Sequence, residues 1–411
     1  MAPWLATPPS LFDPFSILLS LNAGMLALEA ALVAAPVAVA VYAYAGYPLI
    51  LAVIAALRPR SIAKTEDTEW PFVTITIPVY NAISSIRATL DRLLELDYPR
   101  EKLQLLVISD ASTDGTDDVV REYHDRGVEL LSMSVRRGKT TAENAAVNVA
   151  RGEIIVNVDA TVLVPSHSLK PLIRVFDDTT IGVASSRDVS VGDTNPSVGA
   201  ESSYVGYEMW VRDLETRTGS IVGASGCFYA IRRSIHERPL PGDLSWDFAS
   251  VLVARQHGYR SVSVPAAVCI VPRTAQLRTE MKRKVRTMAR GLKTLFYCRA
   301  LMNPARYGWF AFMLVSHKLL RWLPYLLSPV ALLALIALAL QSDVARAILG
   351  IVLVGVTIGC IGILRPRSTI FRPVAVAGFA VAAVSAGLLA WRDALGPAQM
   401  ATWDPTPRAQ T

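Results

Sequence analysis

The chain is short of charge and of cysteine. Asp, Glu, Lys and Arg make up 18% of its 411 residues, against roughly 25% in an ordinary soluble domain. Because 52% of the residues are hydrophobic, disorder is excluded. The four cysteines, Cys227, Cys269, Cys298 and Cys360, show no paired spacing. This argues against a disulfide framework or a structural zinc site and suits a reducing compartment.

An excess of acidic residues is also missing, since 41 Lys and Arg against 34 Asp and Glu give a net charge of +7. The basic residues cluster beside apolar stretches, as Arg58, Arg60 and Lys64 do after the run 30–57. At such positions they face anionic lipid more naturally than nucleic acid. We therefore predict membrane lipids as partners and no nucleic acid.

Long apolar runs are plentiful. The run 30–57 carries no charge and exceeds the ~20 residues that cross a bilayer core. No Lys or Arg precedes it in 1–29, so a cleaved signal peptide is not expected. Further runs at about 324–340, 347–364 and 374–391 are long enough to span with some tilt. The sequence thus predicts one transmembrane helix before the middle region and three within 324–391.

Basic residues set the predicted orientation, because loops on the cytoplasmic side are enriched in Lys and Arg. Three basic residues follow the first span and none precedes it, which places the region 66–300 in the cytoplasm. The loop 365–372 falls on the same side. It contains Arg365, Arg367 and Arg372. We predict a multi-pass protein of the inner or plasma membrane with both tails, 1–29 and 392–411, outside.

The segment 301–323 is predicted to lie in the membrane interface. His317, Lys318 and Arg321 would each cost a few kcal/mol at the centre of a bilayer. The alternative is that 309–323 spans the membrane.

The middle region alternates short β-branched runs with helical stretches, which is typical of parallel strands joined by crossover helices. The predicted strands are Val73–Ile77, Leu105–Ser109, Glu129–Met133 and Ile154–Asp159, and the predicted helices are Ser84–Leu96, Asp117–Arg126 and Thr141–Ala150. Ligands of such sheets bind beyond the carboxyl ends of the strands. The candidate site residues there are Pro78, Tyr80, Asp110, Lys139 and Asp159.

Gly138-Lys139-Thr140 ends like a phosphate-binding loop, G-x-x-x-x-G-K-[ST]. Met133 stands where the first glycine belongs. The glycines whose amides would wrap a phosphate are missing, which argues against a P-loop NTPase.

Six sequence blocks occur along the chain in an order that is typical of one enzyme family. They are ITIPVYNA, VISDASTDGT, RRGKTTAENAAVNVARGEIIVNVDAT, GASGCFYAIRR, SWDFASVLVARQHGYRSVSVPAA and MKRKVRTMARGL. Together they resemble the membrane-bound family 2 glycosyltransferases with a GT-A fold. The resemblance covers roughly 72–295. It implies an α/β domain with a mainly parallel sheet, flanked by transmembrane helices, and an inverting, nucleotide-sugar-dependent enzyme.

The resemblance implies a donor site on the strand ends. Asp110 would contact the uracil or the ribose, with Pro78 and Tyr80 beside it, and Lys139 would lie near the nucleotide or its phosphates. A carboxylate can accept hydrogen bonds from a base edge or a hydroxyl.

Asp159 is the candidate ligand for a divalent cation, Mg²⁺ or Mn²⁺, since these ions bind one or two carboxylates plus phosphate oxygens. Relatives carry Asp-x-Asp at this point, whereas this chain has Thr161 as the third residue. We therefore expect a loosely held cation.

The resemblance assigns Asp247 as the general base that accepts the proton of the acceptor hydroxyl. Trp246 replaces the first acid of the Asp-Asp or Glu-Asp pair found in relatives. The alternative role for Asp247 is a cap of the helix that follows. Gly223, Ser225 and Gly226 would let the backbone approach a sugar closely. With Trp246, they form the predicted acceptor site.

The helix 279–296 is predicted to be basic and amphipathic. Its apolar positions are Met281, Val285, Met288, Leu292 and Leu295. Arg283 and Arg286 either lie at the membrane surface or grip the donor diphosphate, and both interpretations stay open. Polymerising relatives carry Gln-x-x-Arg-Trp here. The matching positions in this chain are Lys284, Thr287 and Met288, which weakens processive polymerisation.

We expect an inverting glycosyltransferase that moves a sugar from a nucleoside diphosphate donor to a lipid or glycan acceptor at the cytoplasmic membrane face. The expected donor is a UDP-linked sugar. The alternatives are a processive polysaccharide synthase of the same family and a catalytically dead sugar-nucleotide sensor. A transporter is not expected, because the spans carry almost no polar groups at mid-bilayer.

Overall fold

A seven-stranded sheet organises the middle of the chain. The computed structural model describes residues 14–58, 60, 69–191, 196–272, 277–364 and 372–397. The strands are β1 (Val73–Val79), β2 (Leu103–Ser109), β3 (Val128–Ser132), β4 (Ile154–Val158), β5 (Ile181–Val191), β6 (Phe228–Arg232) and β7 (Arg260–Pro272). Their order in the sheet is β3-β2-β1-β4-β6-β5-β7.

Only β6 runs against its neighbours. It pairs antiparallel with both β4 and β5, whereas β3, β2, β1 and β4 pair in parallel, as do β5 and β7. All seven residues of β1 are buried, as expected of a parallel strand covered on both faces. The mainly parallel α/β sheet predicted from the sequence is confirmed, and the four predicted strands correspond to β1–β4.

Helices cover the sheet and extend beyond it. They are α1 (Pro14–Val41), α2 (Tyr47–Leu57), α3 (Ile86–Leu94), α4 (Thr116–Arg121), α5 (Lys139–Ala146), α6 (Leu169–Arg174), α7 (Pro196–Thr218), α8 (Arg233–His236), α9 (Trp246–Gln256), α10 (Leu277–Tyr297), α11 (Pro304–Tyr307), α12 (Trp309–Leu314), α13 (Leu320–Ala339), α14 (Asp343–Leu364) and α15 (Arg372–Leu395). In α3, for example, Ile86, Leu90 and Leu93 are buried while Arg87 and Arg92 face solvent. This is the helical period that predicts one packed face.

The chain divides into two compact units, one of residues 1–42 and 321–385, the other of 43–320 and 386–411. In the first unit α14 and α15 lie close together. A Cβ added at Gly359 would lie 2.7 Å from the carbonyl oxygen of Ala377, and one at Gly362 would lie 2.8 Å from that of Val374. Small residues thus allow these two apolar helices to approach each other.

In the second unit α2 packs along α7. Every fourth residue of this stretch, Ala43, Tyr47, Leu51 and Ala55, is buried. The later part of the predicted span 30–57 is therefore covered by protein on one side.

Four helices of the described residues are long and apolar enough to cross a membrane, the number that the sequence predicted. They are Ala23–Leu57, Trp309–Ala339, Asp343–Leu364 and Val376–Leu395. The first apolar helix begins at Pro14, well before residue 30. Arg365 and Arg367, Lys64 and the residues 398–411 lie outside the described residues, so the orientation stays a prediction.

The segment 301–323 is continuous with the helix that follows it, through a π-helical turn at Val315–Leu319. His317 is buried and lies between two glutamates of α7, with Nδ1 2.5 Å from Glu215 and Nε2 3.1 Å from Glu208. Both ring nitrogens of His317 thus have carboxylate partners inside the protein. The interface predicted for 301–323 stays a prediction.

Candidate active site

Asp110 stands directly after β2 and holds a neighbouring loop. Its side chain is buried, and its two oxygens accept hydrogen bonds from the backbone N–H groups of Arg137 and Gly138, both at 2.7 Å. Gly138 has φ +89°, a value that favours glycine. The Arg137–Gly138 loop, which precedes the helix of Lys139, is therefore fixed by Asp110. The predicted contact of Asp110 with the base or ribose stays a prediction.

Tyr80 and Pro78 differ in burial at the end of β1. The guanidinium of Arg136 lies 3.7 Å from the centroid of the half-buried Tyr80 ring, a cation–π contact at the edge of the sheet. Pro78 lies inside β1, opposite Ile108, and is buried. The Pro78 side chain has no surface to offer, and the donor-binding roles of Pro78 and Tyr80 stay predictions.

Lys139 lies at the centre of a charged cluster. Its Nζ is 2.6 Å from Oδ1 of Asp159, 3.2 Å from the carbonyl oxygen of Gly226 and 3.8 Å from Oε1 of Glu143. Burial alone would lower the pKa of Lys139, but Asp159 and Glu143 outweigh it and hold that pKa above its ordinary value. A fixed positive charge therefore lies at the carboxyl end of β4, where a diphosphate can be bound.

Glu143 is a member of this cluster that sequence reasoning missed. It is buried, and its Oε1 has no hydrogen-bond partner among the described residues. Burial raises the pKa of Glu143 to about 7, with Lys139 opposing the shift and Asp247 adding to it. In the sequence it stands in TTAENAA and has the appearance of a solvated helix residue, so no local signal reveals it.

Asp247 lies in the first turn of α9 and faces the cluster through Gly226. Its Oδ1 accepts hydrogen bonds from Phe248 N, at 2.8 Å, and from the Ser245 hydroxyl. A Cβ at Gly226 would lie only 2.7 Å from Oδ2 of Asp247. Gly226 thus contacts Lys139 with its carbonyl and Asp247 with its Cα. Ser245 is the N-cap residue of α9 and Asp247 lies inside the helix, so the cap role considered for Asp247 is wrong, while its base role stays a prediction.

The predicted acceptor site is only partly assembled. Trp246 is 1% exposed, is stacked on His236 at 4.0 Å and donates to Oδ1 of Asn144 at 2.7 Å. It supports α9 from inside the protein, and its predicted contact with an acceptor stays a prediction. Ser225 is buried as well and donates to Asp188 at 2.7 Å. Only Gly226 of the predicted group is partly exposed.

Gly223, the remaining predicted acceptor residue, is buried beneath Lys318. A Cβ there would meet Lys318 Nζ at 2.9 Å and the Phe248 ring at 3.6 Å. The absence of a side chain therefore serves close packing at this point, and its backbone has no exposed surface for a sugar.

The basic helix α10 is held against the domain. Arg290 donates to Oγ1 of Thr140 at 2.7 Å and to the carbonyl of Leu244, and burial lowers the pKa of Arg290. Leu292 and Leu295 are fully buried. The lipid-facing interpretation is wrong for these two leucines, because they pack on protein.

Arg283 and Arg286 lie about two turns and one turn before Arg290 on the same side of α10. Both are partly buried. Their roles stay predictions, whereas the structure holds Arg290 on Thr140 and Leu244.

Residues 74–239 match the model of the family described as glycosyl transferase family 2. The chain carries a family 2 glycosyltransferase domain.

Other comparisons agree. The chain is 25% identical over 299 residues to an N-acetylglucosaminyltransferase of Rhizobium sp. (strain N33), covering 66% of this chain and 65% of the relative. It is 27% identical over 181 residues to a beta-monoglucosyldiacylglycerol synthase of Nostoc sp., covering 43% of this chain and 39% of the relative. The chain thus spans less than two thirds of the length of these curated relatives.

A solved structure supports the GT-A fold over nearly the whole chain. The mannosyltransferase PcManGT from Pyrobaculum calidifontis, in complex with GDP-Man and Mn²⁺, has a TM-score of 0.70 and 25% identity and covers 90% of this chain and 99% of its own. The GT-A fold and the family predicted from the sequence blocks are confirmed.

The family 2 domain offers little to a metal ion. Within the described ranges no group of three or more His, Cys, Asp or Glu side chains could hold one. Asp159 is partly exposed but already pairs with Lys139, and Thr161 supplies no charge. One carboxylate plus the phosphate oxygens of a donor is nevertheless a common arrangement for Mg²⁺. The residues therefore fit a cation that arrives with the donor and not a site formed by protein alone.

Proposed function

We propose that this chain is a membrane-bound inverting glycosyltransferase, which transfers a sugar from a nucleoside diphosphate donor to a lipid or glycan acceptor. The observation that carries the proposal is the meeting of Lys139, Asp159 and Asp247 around Gly226. A positive charge for a diphosphate and a carboxylate for a hydroxyl proton thus share one cleft of a family 2 domain.

In the proposed reaction the acceptor oxygen attacks the anomeric carbon while the bond from that carbon to the diphosphate oxygen breaks. Asp247 takes the hydroxyl proton, so the acceptor oxygen keeps its electron pair for the new bond. Attack from the face opposite the leaving group inverts the configuration. Lys139 would stabilise the negative charge that develops on the diphosphate, the kind of electrostatic contribution that is commonly the largest.

A divalent cation, Mg²⁺ or Mn²⁺, would be held by Asp159 together with donor phosphates. When bound, it supplies positive charge to the leaving diphosphate. The Mn²⁺ in the related mannosyltransferase supports this assignment.

The donor base and the acceptor are the finer parts of the proposal. A UDP-linked sugar follows from the resemblance of the motifs, and a GDP-linked sugar is the second to test because PcManGT was solved with GDP-Man. A lipid acceptor is supported by four apolar helices and by the relative named for a glucosyldiacylglycerol. These helices also support a location in the cell membrane, and the basic residues after the first apolar helix support the cytoplasmic side for the family 2 domain.

A test uses purified full-length protein, a panel of UDP- and GDP-sugars, and lipid extract as acceptor. Release of the nucleoside diphosphate is measured with and without the extract. We expect release with one donor, stimulated by acceptor. Donor binding without release under any condition would identify a catalytically dead sensor and overturn the proposal.

A further inference from the structure

A second basic cavity lies apart from the charged cluster of Lys139. Its volume is about 140 Å³, and it is lined by Arg60, Arg255, Arg260 and Trp309 among others. One water needs about 10–15 Å³ measured in this way, so a small anion with some of its water can enter. Arg255 stands in the last turn of α9, whose first turn carries Asp247. Eight residues of helix separate them by roughly 12 Å.

The cavity carries positive charge without compensation from its walls. Among the described residues, three arginines and no Asp or Glu line it. Burial lowers the pKa of Arg260, Asp178 opposes the shift, and the positive charge of Arg60 adds to it. Arginines that repel one another need an anion to bring them together.

The same residues hold hydrogen-bond donors without acceptors. Nε of Arg255, Nε of Arg260 and Nε1 of Trp309 are buried, and no acceptor is found for them among the described residues. An unsatisfied buried donor destabilises a folded protein, so a ligand that accepts from it is favoured. Three such donors belong to residues that line this one cavity.

We propose that this cavity binds a phosphate oxyanion. Guanidinium groups donate paired N–H bonds to phosphate oxygens, and an indole N–H adds one more. A phosphate of this kind comes either from an anionic lipid headgroup or from solution. Arg60 follows the first apolar helix and Trp309 begins the second, positions where basic and aromatic residues commonly meet headgroups. The inference does not depend on the proposed sugar transfer.

The test compares the full-length protein with the double variant Arg255→Gln, Arg260→Gln. The control is Arg121→Gln, an exposed arginine on α4. Inorganic phosphate binding is measured by calorimetry in detergent. Retention of phosphatidylglycerol over phosphatidylcholine is measured by native mass spectrometry after reconstitution in mixed vesicles. We expect the double variant to lose at least about tenfold in one of these affinities, since charged hydrogen bonds contribute about 1.5–3 kcal/mol each. The control should bind like the unmodified chain.

Each outcome decides the proposal. Saturable phosphate binding without preference for phosphatidylglycerol identifies a free oxyanion, and selective retention of phosphatidylglycerol identifies a headgroup. If neither probe binds the unmodified chain, or if the double variant binds both as well as the control does, the cavity is not a phosphate site. Should the double variant fail to fold by circular dichroism, Arg60→Gln replaces it. Arg60 is exposed, and its loss should weaken binding severalfold without affecting folding.

Discussion

Replacing Asp247 by Asn isolates proton transfer from the other functions of this side chain. Oδ1 accepts hydrogen bonds from Phe248 N and from the hydroxyl of Ser245, and an amide oxygen accepts both equally well. Asp247 is the second residue of α9, after the N-cap Ser245, and loss of its charge there should change the free energy of unfolding by less than about 1 kcal/mol. The amide nitrogen that replaces Oδ2 beside Gly226 cannot accept a proton.

General-base assistance contributes about 10² to 10⁴ in rate, or about 3–5 kcal/mol of activation free energy. We therefore expect Asp247→Asn to slow sugar transfer by that factor while the Kd for the donor changes less than about threefold. Single-turnover transfer and calorimetric donor binding measure the two quantities. Asp125→Asn, an exposed carboxylate away from the cleft, serves as the matched control.

Transfer by Asp247→Asn at the unmodified rate would refute the assignment and direct attention to another carboxylate. Asp243 and Glu208 are the next candidates from the sequence. The structure pairs Asp243 with Lys293 at 3.4 Å and Glu208 with Arg212 at 3.5 Å. Both carboxylates are already committed to a charged partner, which makes either a poorer base.

The remaining predictions concern the donor site, a buried acid, the cation and topology. Asp110→Asn should raise the donor Kd about tenfold, because its amide nitrogen would face a backbone N–H of the Arg137–Gly138 loop; unchanged donor calorimetry would contradict this. Glu143 holds its proton in the folded state up to about pH 7 but releases it near 4.5 when unfolded. Stability should therefore fall as pH rises between these values, and Glu143→Gln should flatten that slope in thermal unfolding. Chelator should abolish transfer and Mn²⁺ or Mg²⁺ restore it, whereas full activity in excess chelator would remove the metal role of Asp159. Reporters fused to the tails 1–29 and 392–411 should both appear outside, and a cytoplasmic signal from either would contradict the predicted orientation.

The sheet was predictable from sequence because its strands are short β-branched or apolar runs between helical stretches, as in β1, β2 and β4, whose residues are almost all buried. Residues at the ends of these strands were predictable for the same reason, since topology alone brings Asp110 and Asp159 to one edge. Contacts between segments that are distant in the sequence were not predictable. Glu143 is buried by tertiary packing that no periodicity encodes.

Trp246 and the leucines of α10 also show that sequence does not specify tertiary packing. Their motif and pattern predict accessible positions, but they are buried by protein. Trp246 occupies a motif position that relatives use for function, yet its indole packs on His236. In α10 an amphipathic pattern predicts an apolar stripe correctly but does not specify whether lipid or protein covers it. The buried Leu292 and Leu295 show that protein covers the later part.

The contacts of the Glu215 carboxylate determine which residues a fragment containing the family 2 domain must include. This carboxylate accepts a hydrogen bond from the Tyr47 hydroxyl of α2 at 2.6 Å and pairs with His317. Burial would raise the pKa of Glu215, but these partners hold it below its ordinary value. A fragment limited to 66–300 would lose both partners and keep only the hydrogen bond from Val222 N to this carboxylate, at a cost of about 3–5 kcal/mol while the carboxylate stays buried. The compact unit around this carboxylate comprises 43–320 together with 386–411. A fragment designed to keep the Glu215 contacts must therefore retain the end of the first apolar helix and the beginning of the second.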